Sequence, residues 1–521
     1  MQLRTKKRIF VFMVFLLAAV FATAGAALAA PIYVSSDTVT VASGDTTNAD
    51  SLTVNNEKPT GTLTGVQVNN NGALIVAGAT EVYKTTAGAT TGVNIASGGT
   101  AIFTNNIIAR GGTDVVGVKS AGTLVISGDL NASMGATGAV VTGGTTTIVG
   151  TTQATSSGAT GISVEGGKAN LNALTSVVGT TGAKVTGGEL TVNGELRTSG
   201  GTGVVATGGE VYLSDANIGP STTGVQASGT AKVVISKDWT VLGIGIEMSE
   251  DAEVSMEGLV VNGGTGAKVT GGELTVNGQL QMNRGTGVAA TGGEVYLSDA
   301  SISGGTGVQA SGTAKVVISE DWNVSSVGVG VGITMSEDAE VTMEGLSVSG
   351  ANITGATVAG GKFTMNDGLT VTGAKGVVVS GGTVNLSSAD IKGGTGLLAS
   401  GGTTTISEDW TVNNGGLGAN VSNDATVTFE KKLTVVDGTG AIVESGDLTV
   451  KGETTVTSGD GIIQSGGTAT LGKLTVNSSD ATGAKVDGGT LTVNDLLTVL
   501  GGGTGVIASG GTVNLSSGDI Q

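Results

Sequence analysis

Short stretches of alternating apolar and polar residues recur along almost the whole chain, broken by Gly-Gly, Asn-Gly or Ser-Gly. In Glu189-Leu190-Thr191-Val192-Asn193-Gly194, Leu190 and Val192 point one way and Thr191 the other. Val211-Tyr212-Leu213 and Val295-Tyr296-Leu297 repeat the pattern with the tyrosines outward. Ala183 and Val185 face in, and Lys184 faces out. After the first 30 residues no window of about 11–18 residues carries a helical period. The pattern predicts short strands joined by tight turns.

The alternation is itself periodic. The mark is Thr-Gly, then alternating apolar residues, then a Gly pair, as in Thr181-Gly182-Ala183-Lys184-Val185-Thr186-Gly187-Gly188. It returns at Thr202, Thr223 and, altered, Ile244, then continues to Thr482 and Thr504; weaker copies begin at Thr64, Thr91, Val116, Thr137 and Thr160. From Thr64 to Thr504 there are 21 starts with a mean spacing of 22 residues. Each repeat holds two or three strands. A longer period lies over the short one: 181–264 and 265–353 are near copies, and 354–438 is a looser third. TGGEVYLSDA stands at 207–216 and 291–300, and MSEDAEV at 248–254 and 335–341.

A single repeat of this size cannot bury its own inner face. Stacking turn on turn buries it and pairs each strand with its equivalents above and below. A left-handed hexapeptide helix prefers turns built in sixes, a propeller needs about 40–50 residues per blade, and a leucine-rich repeat needs a fixed Leu/Asn pattern. The expectation is an all-β, right-handed parallel β-helix of about 21 turns. At about 4.8 Å per turn the rod is roughly 100 Å long. Its core is predicted to be a thin column of Val, Leu, Ile and Ala.

Composition sharpens this picture. The 521 residues include 94 glycines and 3 prolines. Glycine is assigned to the corners. Proline, which cannot donate to a ladder, is confined to Pro31, Pro59 and Pro220, outside the strand cores. Cysteine and histidine are both absent. That removes disulfides, thiol nucleophiles, cysteine zinc sites and the commonest general base. The net charge of −18 argues against nucleic acid and against a polybasic membrane surface.

The ends differ from the body. Arg4, Lys6, Lys7 and Arg8 precede an uncharged stretch over 9–30 that finishes in small residues, Ala27-Leu28-Ala29 among them. This is the layout of a secretory signal peptide cleaved before Ala30; an uncleaved anchor is the competing reading. The chain divides into a signal peptide over 1–29, a lead-in or cap over 30–63, and solenoid repeats over 64–521. The last residues, 510–521, match 381–392, where the chain goes on to a further turn. The sequence therefore reads as a fragment of a longer protein, with a natural stop and a tolerated edge as the alternative.

Candidate chemistry is sparse. After the leader the arginines are Arg110, Arg197 and Arg284, none in an Asp cluster. The densest acidic groups are Glu250-Asp251-Glu253 and Glu337-Asp338-Glu340. They are duplicates of each other and read as solvated loops rather than as paired carboxylates or a weak calcium site. Outward threonines read as β filler rather than as an ice-binding face. The three tryptophans share one slot, Ile-Ser-Lys/Glu-Asp-Trp-Thr/Asn-Val, at Trp239, Trp322 and Trp410. Either they form an exposed row, about 20 Å apart, that contacts a sugar polymer or a protein, or each covers the column where a turn widens.

The signal peptide, the Cys-free acidic body and turns such as TGAKVTGGELTVNG and TGVQASGTAKVVIS resemble the passenger domain of bacterial autotransporters. The resemblance is architectural and covers 31–521. It implies export, passage through the outer membrane by a carboxy-terminal barrel, and display on or release from a Gram-negative-type cell. No barrel pattern is present in the last hundred residues. The functional expectation is a surface rod with a structural or adhesive role, non-enzymatic and without cofactor or metal. Its partners would be a host-surface glycan or protein, or further copies of itself. A secreted polysaccharide-binding or polysaccharide-degrading β-helix is the alternative.

Overall fold

The computed structural model describes residues 30–34, 38–56, 62–85, 88–134, 137–326 and 329–521. The signal-peptide reading falls on 1–29, outside the described residues. The described chain is all β: 53 strands form one continuous parallel sheet wound into a solenoid of about 21 turns.

Each turn has three faces, so the upper of the two predicted strand counts holds. The turn beginning at Thr181 shows how the sequence makes them. Thr181–Val185 forms the first face. A Gly187-Gly188 corner follows, and Gly188 has a φ of 73°, a backbone shape that suits glycine. The run Glu189–Thr198 then supplies the second face at 189–192 and the third at 195–198, with a register break between them. Each face pairs with its own equivalents, such as Thr181 with Thr202, Leu190 with Val211 and Leu196 with Ala216. The lead-in already joins the ladder, since Val39 pairs with Val66 and Val41 with Val68.

The corner between the second and third faces is often extended enough to fuse two strands, and in two turns the next first face is joined as well. Glu210–Ala227 runs for 18 residues and Lys232–Met248 for 17. Pro220 lies within the first of these rather than outside it. The register shifts on both sides of Pro220, so its missing N–H falls where the ladder is already interrupted.

Most inward positions form one column from Val41 to Val499, and two small buried clusters, Ala109 with Val115 and Ala132, and Ala154 with Ala159 and Val177, stand apart from it. The column is richer than expected. Beside Val, Leu, Ile and Ala it holds Phe103, Phe363, Phe429 and all three tryptophans, each essentially unexposed. Space for two of these rings, Trp322 beside Gly287 and Trp410 beside Gly396, comes from a feature the corner assignment missed. The glycine of each Thr-Gly mark lies inside a strand and faces the column. A Cβ added to it would sit 2.2–2.8 Å from the carbonyl oxygen of the equivalent glycine one turn on, at every step from Gly65 to Gly483. Glycine therefore has two separate tasks, corners and an unbroken inner ladder.

Candidate functional site

The tryptophan slot is a core position. Trp239, Trp322 and Trp410 are each 0% exposed. Trp239 and Val241 are two residues apart and share the inward direction of the third face. In the folded rod no ring face is open, which corrects the exposed-row reading and favours the column-covering one. Two of the large rings are matched by a small neighbour in the ladder: Ala300 pairs with Trp322, and Ala389 with Trp410. On the next turn the partners are Leu259, Leu346 and Leu433. Trp410 also packs edge-on against Phe429, with centroids 6.0 Å apart, a geometry worth about 0.5–1.5 kcal/mol beyond area burial. The alanine one turn before Trp322 and Trp410 was visible in the sequence as a large–small alternation.

The duplicated acidic turns have a backbone role. Glu250 and Glu337 both adopt φ of 59°, at corners where neighbouring turns use glycine. The Glu250 carboxylate accepts a hydrogen bond from the Gly229 amide at 2.6 Å, and Glu337 accepts from Gly312 at 2.7 Å. Each acid thus caps the corner of the turn before it. Among the described residues no three acidic side chains converge as ligands for a metal ion.

Exposed charge is organised across turns. Lys168 meets Glu189 at 2.6 Å, Lys268 meets Glu247 at 2.8 Å and Lys451 meets Glu430 at 2.7 Å. The Glu189 contact holds the Lys168 ammonium above its usual range. Pairs this exposed contribute little each, about 0–1 kcal/mol. Tyr212 donates to Glu210 at 2.6 Å, and Tyr296 donates to Glu294, which Lys315 also approaches at 3.5 Å. The hydrogen bond to Glu210, and secondarily burial, push the Tyr212 phenol up to about 12.

The three arginines separate. Arg197 forks onto Glu195 at 2.9 and 3.1 Å. Arg284 stands exposed beside the third corner. Arg110 lies on the third face, one turn above Tyr83 and paired with it in register. It borders a shallow groove across three turns, lined by Ile108, Arg110, Asn131, Ala132, Ser133, Gln153 and Thr155. Ile108, Asn131 and Gln153 form one outward row, and Ser133 and Thr155 belong to the next.

The groove lies over the two small buried clusters that stand apart from the main column. Beneath it the inward slot reads Val82, Ala109, Ala132, Ala154, Val177. Sequence reading singled out Arg110 but missed Tyr83, Asn131 and Gln153, because turns of 22–27 residues at this end obscure their alignment. Comparison with protein families, curated proteins and solved structures finds no match to this chain.

Proposed function

We propose that this chain is the rod of an exported, surface-displayed protein of the autotransporter-passenger type, acting in attachment rather than catalysis. The observation that carries the reading is the unbroken parallel ladder. Inward positions are spent on the column and on the glycine row, while outward positions repeat short polar and charged residues over about 21 turns. Such a surface offers length and repetition, which suit attachment and self-association. The basic, apolar, then small-residue order over 4–30 supports export. The acidic, cysteine-free body supports passage in an unlocked state.

The test is expression of the complete gene, with whatever follows Gln521, in a Gram-negative host. Protease added to intact cells should remove the rod, its amino terminus should begin at Ala30, and the cells should gain adherence to matrix-coated surfaces. Retention of the rod inside the cell, or display without any gain in adherence, would overturn the reading.

A further inference from the structure

We propose that the groove on the third face near the amino-terminal end binds a carboxylate-bearing oligosaccharide, with Arg110 as the carboxylate contact and Tyr83 as the stacking platform. The proposal rests on the attachment reading, to which it supplies a ligand. Four observations carry it. First, the groove crosses three turns parallel to the rod axis, so its rows advance by about 4.8 Å, close to the length of one sugar ring. Second, Arg110, Asn131, Ser133, Gln153 and Thr155 line it without a side-chain hydrogen bond or ion pair to any described residue. Elsewhere on the rod, cross-turn pairs such as Asn193–Asn172 and Lys168–Glu189 satisfy each other. Third, Tyr83 is 43% exposed and neighbours Arg110 in register. Fourth, the groove is carried by paired strands over the alanine run Ala109, Ala132, Ala154 and not by a loop.

The chemistry selects the ligand. Asn131 and Gln153 each present an acceptor and two donors in one plane, a match for neighbouring sugar hydroxyls. A tyrosine ring covers the C–H face of a pyranose and keeps its hydroxyl in water. A planar guanidinium without a protein partner takes a carboxylate in a two-pronged contact. Glu81 pairs with Ile108 at the lower edge of the groove. It directs the ligand carboxylate away from that edge, toward the Ser133 side of Arg110. The overall charge of −18 disfavours anions at long range, but screening confines that penalty to about 8 Å at physiological salt.

Titration calorimetry on the full secreted chain tests this with three probes: an oligogalacturonate, an oligosialate and neutral cellotetraose. The expected result is binding of at least one carboxylated probe, with cellotetraose at least about tenfold weaker. R110A should abolish that preference, and Y83A should weaken both classes several-fold. The two acidic probes then distinguish a uronate from a sialate source. Equal affinity for cellotetraose, unchanged affinity in R110A, or no binding of any probe overturns the proposal. None of these depends on display. A rod that binds but stays inside the cell removes only the attachment reading, and a displayed rod that binds nothing removes only this one.

Discussion

Gly396 lies so close to the Trp410 indole that a Cβ added to the glycine would stand 2.7 Å from Nε1. It would also meet the Gly418 carbonyl oxygen at 2.6 Å. Neither backbone nor a ring packed on Phe429 can withdraw cheaply. Gly396→Ala is therefore expected to destabilise the rod by at least about 1–3 kcal/mol, the usual range for overpacking. Gly158→Ala is the control, since a Cβ there meets nothing within 4 Å and its φ is not positive. It should change stability by no more than about 0.5 kcal/mol. Denaturant midpoints followed by tryptophan fluorescence compare the two, and equal midpoints would remove the spatial role assigned to the inner glycine row.

The burial of the tryptophans makes a separate prediction. Emission from all three should be blue-shifted and resistant to acrylamide in the folded chain. Trp322→Ala should cost about 3–5 kcal/mol through the cavity it leaves beside Ala300 and Leu346. Trp322→Phe should cost much less. The Trp322 Nε1 has no acceptor among the described residues, so phenylalanine removes an unpaired buried donor as well as some area. Ready quenching of the wild-type fluorescence would show that the rings are open after all.

The architecture was legible because stacking imposes it directly on the sequence. A strand of period two, repeated at 21–22 residues, places Val185 over Ala206 and Leu190 over Val211 in only one register. The inner glycine row was harder to see, since glycine has no side chain to declare its direction and the same residue also marks corners such as Gly188. Tryptophan left two readings open, since its size suits both an exposed anchor and a ring that covers the column; the alanines one turn before Trp322 and Trp410 point to the second. The groove escaped entirely. Its polar lining, Arg110, Asn131 and Gln153, is spread over three turns of 22–27 residues.

Glu250 sits in a backbone region that costs a non-glycine residue about 1–2 kcal/mol. Its hydrogen bond to the Gly229 amide offsets that strain. The two effects separate by substitution. Glu250→Ala keeps the strain and loses the bond, whereas Glu250→Gly loses both. Alanine should therefore be the more destabilising of the two, and Glu337 should give the same order. Thermal unfolding of the four variants decides the matter; an alanine variant as stable as the glycine one would mean that the local φ carries no strain.

Tyr212 gives the rod a pH dependence with a definite sign. Its phenol is pushed up to about 12, first by donating to Glu210 and then by burial, against about 10 for an unperturbed tyrosine. A folded-state value above the unfolded one stabilises the fold wherever the phenol is protonated in both states. That contribution is complete below about pH 10 and is lost as pH rises toward 12. The phenolate absorbance that disappears in Tyr212→Phe should accordingly rise only near the top of this window in the wild type. In Glu210→Ala the strongest cause is gone, and the same band should move back toward the ordinary tyrosine range. Tyr296 is raised in the same direction by Glu294, but Lys315 opposes that shift, so Glu294→Ala should move its band less. A Tyr212 band that stays in place in Glu210→Ala would assign the shift to burial alone.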